Sequence, residues 1–239
     1  MRKQTGVHVG VSADGIALVD TRPLRGRWFF LDPVGAQLWA KATTGTRTPE
    51  AVEEVVGYWQ LRGVDPARVR ADLTQVADSL ERARLLVPAQ RPTGRPARRQ
   101  VRFAVPVPGC LRDQVAGQVG LALALVLLRC TPLRITLAVA RAATRLPGRA
   151  ATVAEAETAH AAVRRGIRAW PGRAACLEES LATFLAAALT GRRLRWVLGA
   201  RLIPHGAHAW VEAEEAVIGQ AETDRVWPYI DALQVERSN

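Results

Sequence analysis

The sequence predicts an α+β protein made of a small N-terminal unit and a larger C-terminal one. Three strand-like stretches come first, at residues 7–13, 16–21 and 27–32. Three helical stretches follow, and each begins beside a proline, which is favoured in the first turn of a helix: Pro33, Pro49 and Pro66. Three antiparallel strands followed by three helices therefore form the predicted N-terminal unit.

A segment rich in proline and arginine separates the two units. PAQRPTGRPARRQ (88–100) contains three prolines and four arginines and has no hydrophobic periodicity. This composition is typical of a linker. We therefore predict one domain over residues 1–87, a linker over 88–109 and a second domain over 110–239.

The net charge of +11 is concentrated in the middle of the chain. Residues 91–153 carry 11 basic residues and a single acidic one, whereas residues 1–90 carry 12 and 10. A basic segment of this kind suits nucleic acid, acidic lipid or an acidic protein surface, or it is a solvated linker. Because the N-terminal 90 residues are nearly neutral, a winged-helix domain that reads nucleic acid is disfavoured, and we expect no nucleic-acid partner.

Residues 115–128 are apolar apart from Gln118. Fourteen residues are too few to span a bilayer, which needs about 20. We predict a buried helix here, followed by a second helix over 133–145; attachment to a membrane surface is the less favoured alternative.

The N-terminus and the cysteines indicate the compartment. The start of the chain lacks the apolar core and the cleavage site of a signal peptide. Three cysteines without regular spacing indicate neither a zinc site nor a disulfide framework. We therefore expect a cytoplasmic protein with no metal and no cofactor. Cys110 and Cys130 have no matching base and are interpreted as structural.

Cys176 and His208 are the candidate catalytic pair. A predicted helix begins near Cys176 and runs to Gly191, and the strand 207–213 carries His208. A helix N-terminus favours the thiolate, and an imidazole can accept the thiol proton. The amide N–H of Cys176 could also donate to a developing oxyanion. Composition alone equally allows a buried cysteine and a structural histidine.

The chain around this pair resembles the leader-peptidase domain of lasso-peptide biosynthesis B proteins. The matching features are PGR and Cys-Leu before a Ser-Leu helix, Gly191, the basic strand ending at Leu198-Gly199, and the strand GAHAWVE. The resemblance implies a transglutaminase-like, papain-type cysteine protease fold. It also implies that Cys176 is the nucleophile and His208 the base.

The residue that orients the imidazole departs from the family pattern. The family places an aspartate about a dozen residues after the histidine, and this chain has Gln220 there. A carboxamide oxygen can still accept from the imidazole N–H. Glu222 is the alternative orienting residue. Glu212 is a poorer one, because four strand residues put it roughly 13 Å from His208 along the strand.

Residues 7–87 resemble the small peptide-recognition domain of the pyrroloquinoline-quinone chaperone D proteins, which is winged-helix-like. The stretches RWFFLDPVGAQLW and TPEAVEEVV and the long third helix carry the resemblance. It implies that a leader peptide adds as a strand beside strand 27–32, in a groove completed by the third helix. The predicted leader-binding residues are Trp28, Phe29, Phe30, Val69, Leu73 and Val76. The three on the helix are core residues first, with only their rims able to touch a leader, and sequence does not decide which face of the strand meets the helices.

The resemblances together imply a leader peptidase of lasso-peptide biosynthesis. It would bind the precursor's leader and cleave it through an acyl-enzyme at Cys176. An ATP-using, asparagine-synthetase-like cyclase is the expected partner. A non-catalytic leader-binding scaffold and a transglutaminase-type acyl transferase remain as alternatives. Two further histidines receive no catalytic role: His160 is expected to be solvated and His205 to lie in a loop or on the surface.

Overall fold

A computed structural model describes residues 2–87, 109–219 and 229–237. The predicted linker 88–109 therefore lies outside the described residues, apart from Gly109. The orienting positions Gln220 and Glu222 lie outside them as well.

The N-terminal region contains the predicted three strands and three helices. Its elements are β1 (Arg2–Lys3), β2 (Val7–Ser12), β3 (Gly15–Asp20), β4 (Arg27–Leu31), α1 (Pro33–Thr43), α2 (Thr48–Gln60), α3 (Pro66–Arg82) and β5 (Leu86–Val87). The helices begin where the sequence indicates, because Asp32 accepts a hydrogen bond from the Gly35 N–H and Asp65 from the Ala67 N–H. Antiparallel pairing of β1 with β5 was not foreseen.

The sheet β2-β3-β4 is antiparallel and has two covered faces. Leu18 and Ile16 pack with residues of α1 and α3 on one face, and Phe29 and Leu31 border this cluster. The opposite face contacts the C-terminal region, because Val19 belongs to the same buried cluster as Leu133 and Leu137. Every residue of β3 is consequently buried.

Among its described residues, the C-terminal region has four helices and one pair of short strands before its main sheet, which has four strands. Its elements are α4 (Leu111–Cys130), α5 (Leu133–Ala143), β6 (Arg149–Ala150), α6 (Val153–Ala169), α7 (Cys176–Leu189), β7 (Arg192–Arg193), β8 (Arg195–Arg201), β9 (Gly206–Ala213), β10 (Ala216–Ile218) and β11 (Ile230–Val235). The sheet has the order β10-β9-β8-β11 and is antiparallel throughout. Sequence analysis did not predict β11.

Helix α4 lies at the centre of the C-terminal core and packs against α6 and α7. Small residues allow the close approach: a Cβ at Gly117 would lie 2.8 Å from the Ala162 Cβ, and one at Gly120 would lie 2.6 Å from the Ala182 carbonyl oxygen. The helix is 20 residues long, so by length and composition alone it could cross a membrane, which the 14-residue apolar run did not suggest. Its outer side exposes five apolar side chains: Leu111, Val115, Val119, Leu123 and Val126.

The sheet of the C-terminal region packs one face on α7. Trp196 of β8 is fully buried and its Nε1–H donates to Ser180 Oγ of α7 at 3.0 Å. Val211 of β9 lies directly opposite Trp196 in the ladder, so it faces α7 as well. This register determines the direction of each side chain on β9, including that of His208.

The two regions touch through the N-terminal sheet. The Leu133 N–H at the start of α5 donates to the Leu24 carbonyl at 2.9 Å. On the other edge of the sheet, a Cβ at Gly10 would lie 2.6 Å from the Asp231 carbonyl oxygen of β11. Close backbone approach at both places holds the N-terminal sheet against the C-terminal core.

Replacing Leu18 by alanine tests the buried face of the N-terminal sheet. Leu18 has no exposed surface, so Leu18→Ala should lower the free energy of unfolding by about 2–5 kcal/mol, through lost apolar burial and the remaining cavity. Urea denaturation followed by circular dichroism measures this. The matched control is Leu61→Ala, because Leu61 is 89% exposed and should change stability by less than about 0.5 kcal/mol. Equal effects of the two substitutions would contradict the assigned packing.

Candidate active site

Cys176 is the first residue of α7, as the sequence predicted for the helix start. Its thiol is half-buried. The turn that leads into the helix is fixed by Glu178, whose Oε2 accepts from the Ala175 N–H at 3.0 Å. The first-turn amides at this end carry the partial positive charge of the helix dipole, which favours an anion at this position.

His208 is the third residue of β9 and pairs with Gly199 of β8. Its ring stacks on Trp210, with centroids 5.8 Å apart, and contacts Tyr229 at 5.1 Å. Val211 and Ala209 face α7, so strand alternation puts His208 and Trp210 on the other face of the sheet. The imidazole is therefore half-buried among aromatic rings.

Helix α7, which begins at Cys176, packs against the sheet that contains β9. The structure does not bring the two side chains together, because His208 lies on the face of the sheet opposite to α7. Among the described residues, no hydrogen bond joins the thiol to the imidazole. The catalytic roles of both residues stay predictions, and the orienting role of Gln220 or Glu222 falls outside the described residues.

Glu212 is buried and contacts Trp210 and Arg195. It is 3% exposed, and its Oε1 accepts from the Trp210 Nε1–H at 2.7 Å. Arg195 lies 3.5 Å from its other oxygen. The carboxylate therefore supports the aromatic ring on which His208 stacks.

A second histidine, His160, is buried beside α7, contrary to the expectation that it is solvated. It is 8% exposed, and its Nδ1 lies 3.4 Å from Thr183 Oγ1. The Thr183 hydroxyl donates to the Glu179 carbonyl, so it is available to accept from Nδ1–H. Burial, reinforced by the nearby Arg164 charge, lowers the pKa of His160 to about 4, so the ring is neutral near pH 7. Alternation of alanine with charged residues on α6 concealed this burial.

Glu179 completes this cluster, one turn along α7 from Cys176. Its Oε1 lies 3.3 Å from His160 Nε2 and 3.4 Å from an Arg164 guanidinium nitrogen. Neither contact has hydrogen-bond geometry, and within the described residues this buried oxygen makes no hydrogen bond. Burial raises the pKa of the Glu179 carboxyl, although the Arg164 charge opposes this. A protonated Glu179 could donate to the neutral Nε2.

The cluster also fixes the end of β10, immediately before the predicted orienting position. Gly219 has φ +73° and lies against the His160 ring so closely that a Cβ would overlap it. The Gly219 N–H donates to Glu157 Oε1 at 3.4 Å. In the sequence, the glycine directly after Ile218 is the signal that β10 ends here in a left-handed backbone conformation.

The predicted leader groove is divided between two surfaces. On α3, Val69 is 6% exposed and Leu73 is 1% exposed, so both are core residues, whereas Val76 is half-buried and packs against the same cluster as Phe29. Strand β4 forms an edge of its sheet, and within the described residues no strand pairs with its outer side. Val76 and Phe29 are thus the predicted groove residues on the helix side of the sheet that retain exposed surface.

The other two aromatic residues of β4 face the C-terminal region. Trp28 packs against its core, and Phe30 borders a cluster that contains Ala200 and Leu202 at the end of β8. The Phe30 ring stacks on His205 with centroids 4.6 Å apart. His205 lies in the exposed turn before β9, as expected, and it connects the edge strand to the strand that carries His208.

The two remaining cysteines are both exposed. Cys110 precedes α4, and its Sγ lies 3.2 Å from Asp113 Oδ2. Their exposure does not fit the interpretation of both as structural residues. Within the described residues, no group of three or more His, Cys, Asp or Glu side chains could hold a metal ion.

Comparison with known proteins identifies the C-terminal fold. The family model of the transglutaminase-like superfamily matches residues 118–229, somewhat under half of the chain, and this segment includes Cys176 and His208. The C-terminal domain is therefore transglutaminase-like, and the predicted mixed fold is confirmed. No curated protein matches the chain.

A solved structure, TbiB1 in complex with the TbiA(beta) leader peptide, is also similar. It is 27% identical over 36% of this chain and 93% of that chain, with a TM-score of 0.29. A score this low supports no argument about the fold or ligand of this chain.

Alanine at Gly219 should strain the end of β10. Gly219→Ala should lower the free energy of unfolding by about 1–2 kcal/mol from the left-handed backbone, with an additional cost from the overlap with His160. The double variant with His160→Ala should cost less than the two single variants together, because the overlap is relieved. Chemical denaturation of the four proteins measures this coupling, and strict additivity would contradict the contact.

The buried His160 should make the protein less stable in mild acid. The pKa of His160 is about 4 in the folded protein and about 6.5 when unfolded, so the unfolded state binds more protons between these values. Stability should fall by up to about 1.4 kcal/mol per pH unit as the pH drops from 6.5 towards 4.

His160→Gln should reduce this slope in urea titrations across the same window. The variant must be compared with wild type because His8 contributes in the same direction. Burial, together with the nearby charges of Lys3 and Arg141, lowers the pKa of His8 to about 4. Glu179, whose pKa is raised, contributes in the opposite one. Identical slopes for the two proteins would contradict a buried, neutral His160.

Proposed function

We propose that this protein is a leader peptidase of lasso-peptide biosynthesis. The observation that carries the proposal is Cys176 at the N-terminus of α7, in a transglutaminase-like segment whose sheet carries His208. The family resemblance of PGRAACLEES and GAHAWVE, which assigns a nucleophile and a base to these two residues, supports it further.

In the proposed reaction, His208 accepts the thiol proton and Cys176 attacks the carbonyl carbon of the scissile bond. The first-turn amides of α7 can donate to the developing oxyanion. The leaving amine takes the proton from His208, and water then hydrolyses the acyl-enzyme and regenerates the thiol. Gln220, or alternatively Glu222, orients the imidazole, and no metal or other cofactor takes part.

The N-terminal domain would bind the leader as an additional strand on β4. No described strand pairs with the outer edge of β4, which supports this assignment, because main-chain hydrogen bonds to an added strand give affinity. Half-buried Phe29 and Val76, on the helix side of the sheet, offer apolar contact. Binding and cleavage in one chain raise the effective substrate concentration at Cys176. The cytoplasm is the proposed location, and an ATP-using, asparagine-synthetase-like cyclase is the proposed partner.

One observation favours a second candidate, a leader-binding scaffold without peptidase activity. Within the described residues, Cys176 makes no hydrogen bond to His208, and the family's aspartate is replaced by Gln220. An acyl transferase that uses an amine in place of water shares the same dyad and differs only in its product.

A cleavage assay separates these functions. Purified protein is incubated with candidate lasso-peptide precursors from its own genome, with and without a candidate cyclase, and the products are identified by mass spectrometry. We expect free leader and core as products. Cleavage should be at least about 10³-fold slower, or absent, in Cys176→Ala and His208→Ala. Cys110→Ala is the matched control, since Cys110 is an exposed cysteine at the opposite end of α4 from the residues near Cys176. Binding without cleavage would identify a scaffold, and an isopeptide product an acyl transferase.

Leader affinity tests the recognition half separately. Phe29→Ala and Val76→Ala should each weaken binding of a fluorescently labelled leader by about tenfold, because each removes apolar contact beside the edge strand. Fluorescence anisotropy measures the dissociation constant. Leu61→Ala, at an exposed position on the far side of α2, should bind like wild type. Unchanged affinity in both groove variants would place the leader elsewhere.

A further inference from the structure

A cavity of about 260 Å³ lies where the two domains meet, beside the first turn of α7. The loop between β3 and β4 forms one wall, and the ends of α4, α5 and α7 form the others. Its principal lining residues are Leu24, Arg25, Leu128, Arg129, Leu133 and Leu177. Leu177 and Glu178 directly follow Cys176, so the cavity borders the turn of α7 that carries the proposed nucleophile.

Direct contacts hold both sides of this cavity. The Leu133 N–H donates to the Leu24 carbonyl at 2.9 Å, and a Cβ at Gly26 would lie 2.7 Å from Leu133 Cδ2. On the opposite side, the Arg129 guanidinium donates to the Arg173 carbonyl at 3.3 Å and lies 5.4 Å from the centroid of the Trp170 ring. The recognition domain therefore supplies one fixed wall of a cavity in the catalytic domain.

The lining favours apolar groups over basic ones. Four leucines line the cavity, together with Arg25 and Arg129. Glu178 also borders the cavity, but its carboxylate accepts from the Ala175 N–H in the cap of α7. An apolar side chain would be desolvated favourably here, whereas a lysine or arginine side chain would meet two like charges.

The direction of β4 relates this cavity to a bound leader. The strand begins at Arg27, two residues after Arg25, and ends at Leu31. All pairings in its sheet are antiparallel. A peptide added in the same manner runs from Leu31 towards Arg27, so its C-terminal end, which precedes the scissile bond, arrives at the cavity.

We propose that this cavity is the specificity pocket for an apolar side chain among the last two leader residues, on the leader side of the scissile bond. The assignment rests on the proposed peptidase function. The pocket is shared between domains, so the recognition domain contributes to the choice of cleavage site as well as to capture of the leader. Leu24 is the residue through which it does so.

Active-site-directed peptides test this without knowledge of the precursor. The probes are acetylated tripeptide chloromethyl ketones, which alkylate a reactive thiol. The last and the penultimate residue are varied separately, and each is alanine, leucine, phenylalanine, glutamate or lysine in turn. The rate of alkylation at Cys176 is followed by mass spectrometry. At one of the two positions, leucine should react at least about tenfold faster than alanine, and lysine should react most slowly.

Two variants connect that preference to the cavity. Leu24→Ala should abolish the advantage of leucine over alanine, and Arg25→Glu should raise the rate with lysine. Both residues are exposed and lie in a loop, and circular dichroism checks that the variants fold. Leu61→Ala, an exposed leucine of the same domain remote from the cavity, should keep the wild-type preference.

The outcomes distinguish this proposal from the proposed function. If Cys176 reacts faster than Cys110 and Cys130 but shows equal rates across the panel, or keeps its preference in Leu24→Ala, the pocket assignment is wrong and the peptidase proposal stands. If no probe labels Cys176 faster than the two exposed cysteines, the peptidase proposal fails and the pocket assignment fails with it.

Discussion

Burial of strand β3 on both faces is the constraint on which the arrangement of the two domains depends. Its side chains alternate between the helices of the N-terminal domain and the core of the C-terminal domain, and none is exposed. Polar positions on such a strand would be desolvated without partners, so the strand is apolar almost throughout. Asp20, at its end, is the exception and is paired with Arg22 at 2.7 Å.

This constraint determines which part of the sheet can bind a ligand. With both faces covered, the sheet can accept another strand at an edge, and no described strand pairs with the outer edge of β4. The Phe30–His205 stack lies at one end of β4 and the cavity beside α7 at the other. The surface proposed for recognition and the element proposed for catalysis are thus joined through packed residues.

Local sequence signals were sufficient for most of the elements. Asp-Pro pairs predict the starts of α1 and α3 because the carboxylate accepts first-turn amides and the proline ring suits the first turn. The Pro171-Gly172 pair likewise indicates a break in the chain before Cys176, where α7 begins. These signals involve residues close together in the chain, so no tertiary information was needed.

The features that sequence did not give depend on distant contacts. Strand β11 is recognised by its pairing with β8, and β1 by its pairing with β5, neither of which leaves a local periodic signal. The burial of His160 follows from the packing of α6 on α7. The side of β4 that meets the helices is likewise set by domain packing, since Trp28 and Phe30 are as apolar as Phe29. For the same reason, the residues of the candidate dyad could be named while their separation could not.

The reactivity of Cys176 as a function of pH tests the central claim most directly. Alkylation of each cysteine by iodoacetamide is followed by mass spectrometry from pH 5 to pH 10, in wild type and in His208→Ala, with exposed Cys110 and Cys130 as internal references. The account predicts that Cys176 alone reacts rapidly well below pH 8.5, near which an ordinary thiol titrates, and that His208→Ala abolishes this reactivity in acid. A Cys176 profile that follows the two references, or one that His208→Ala leaves unchanged, would contradict a thiolate–imidazolium dyad in this protein.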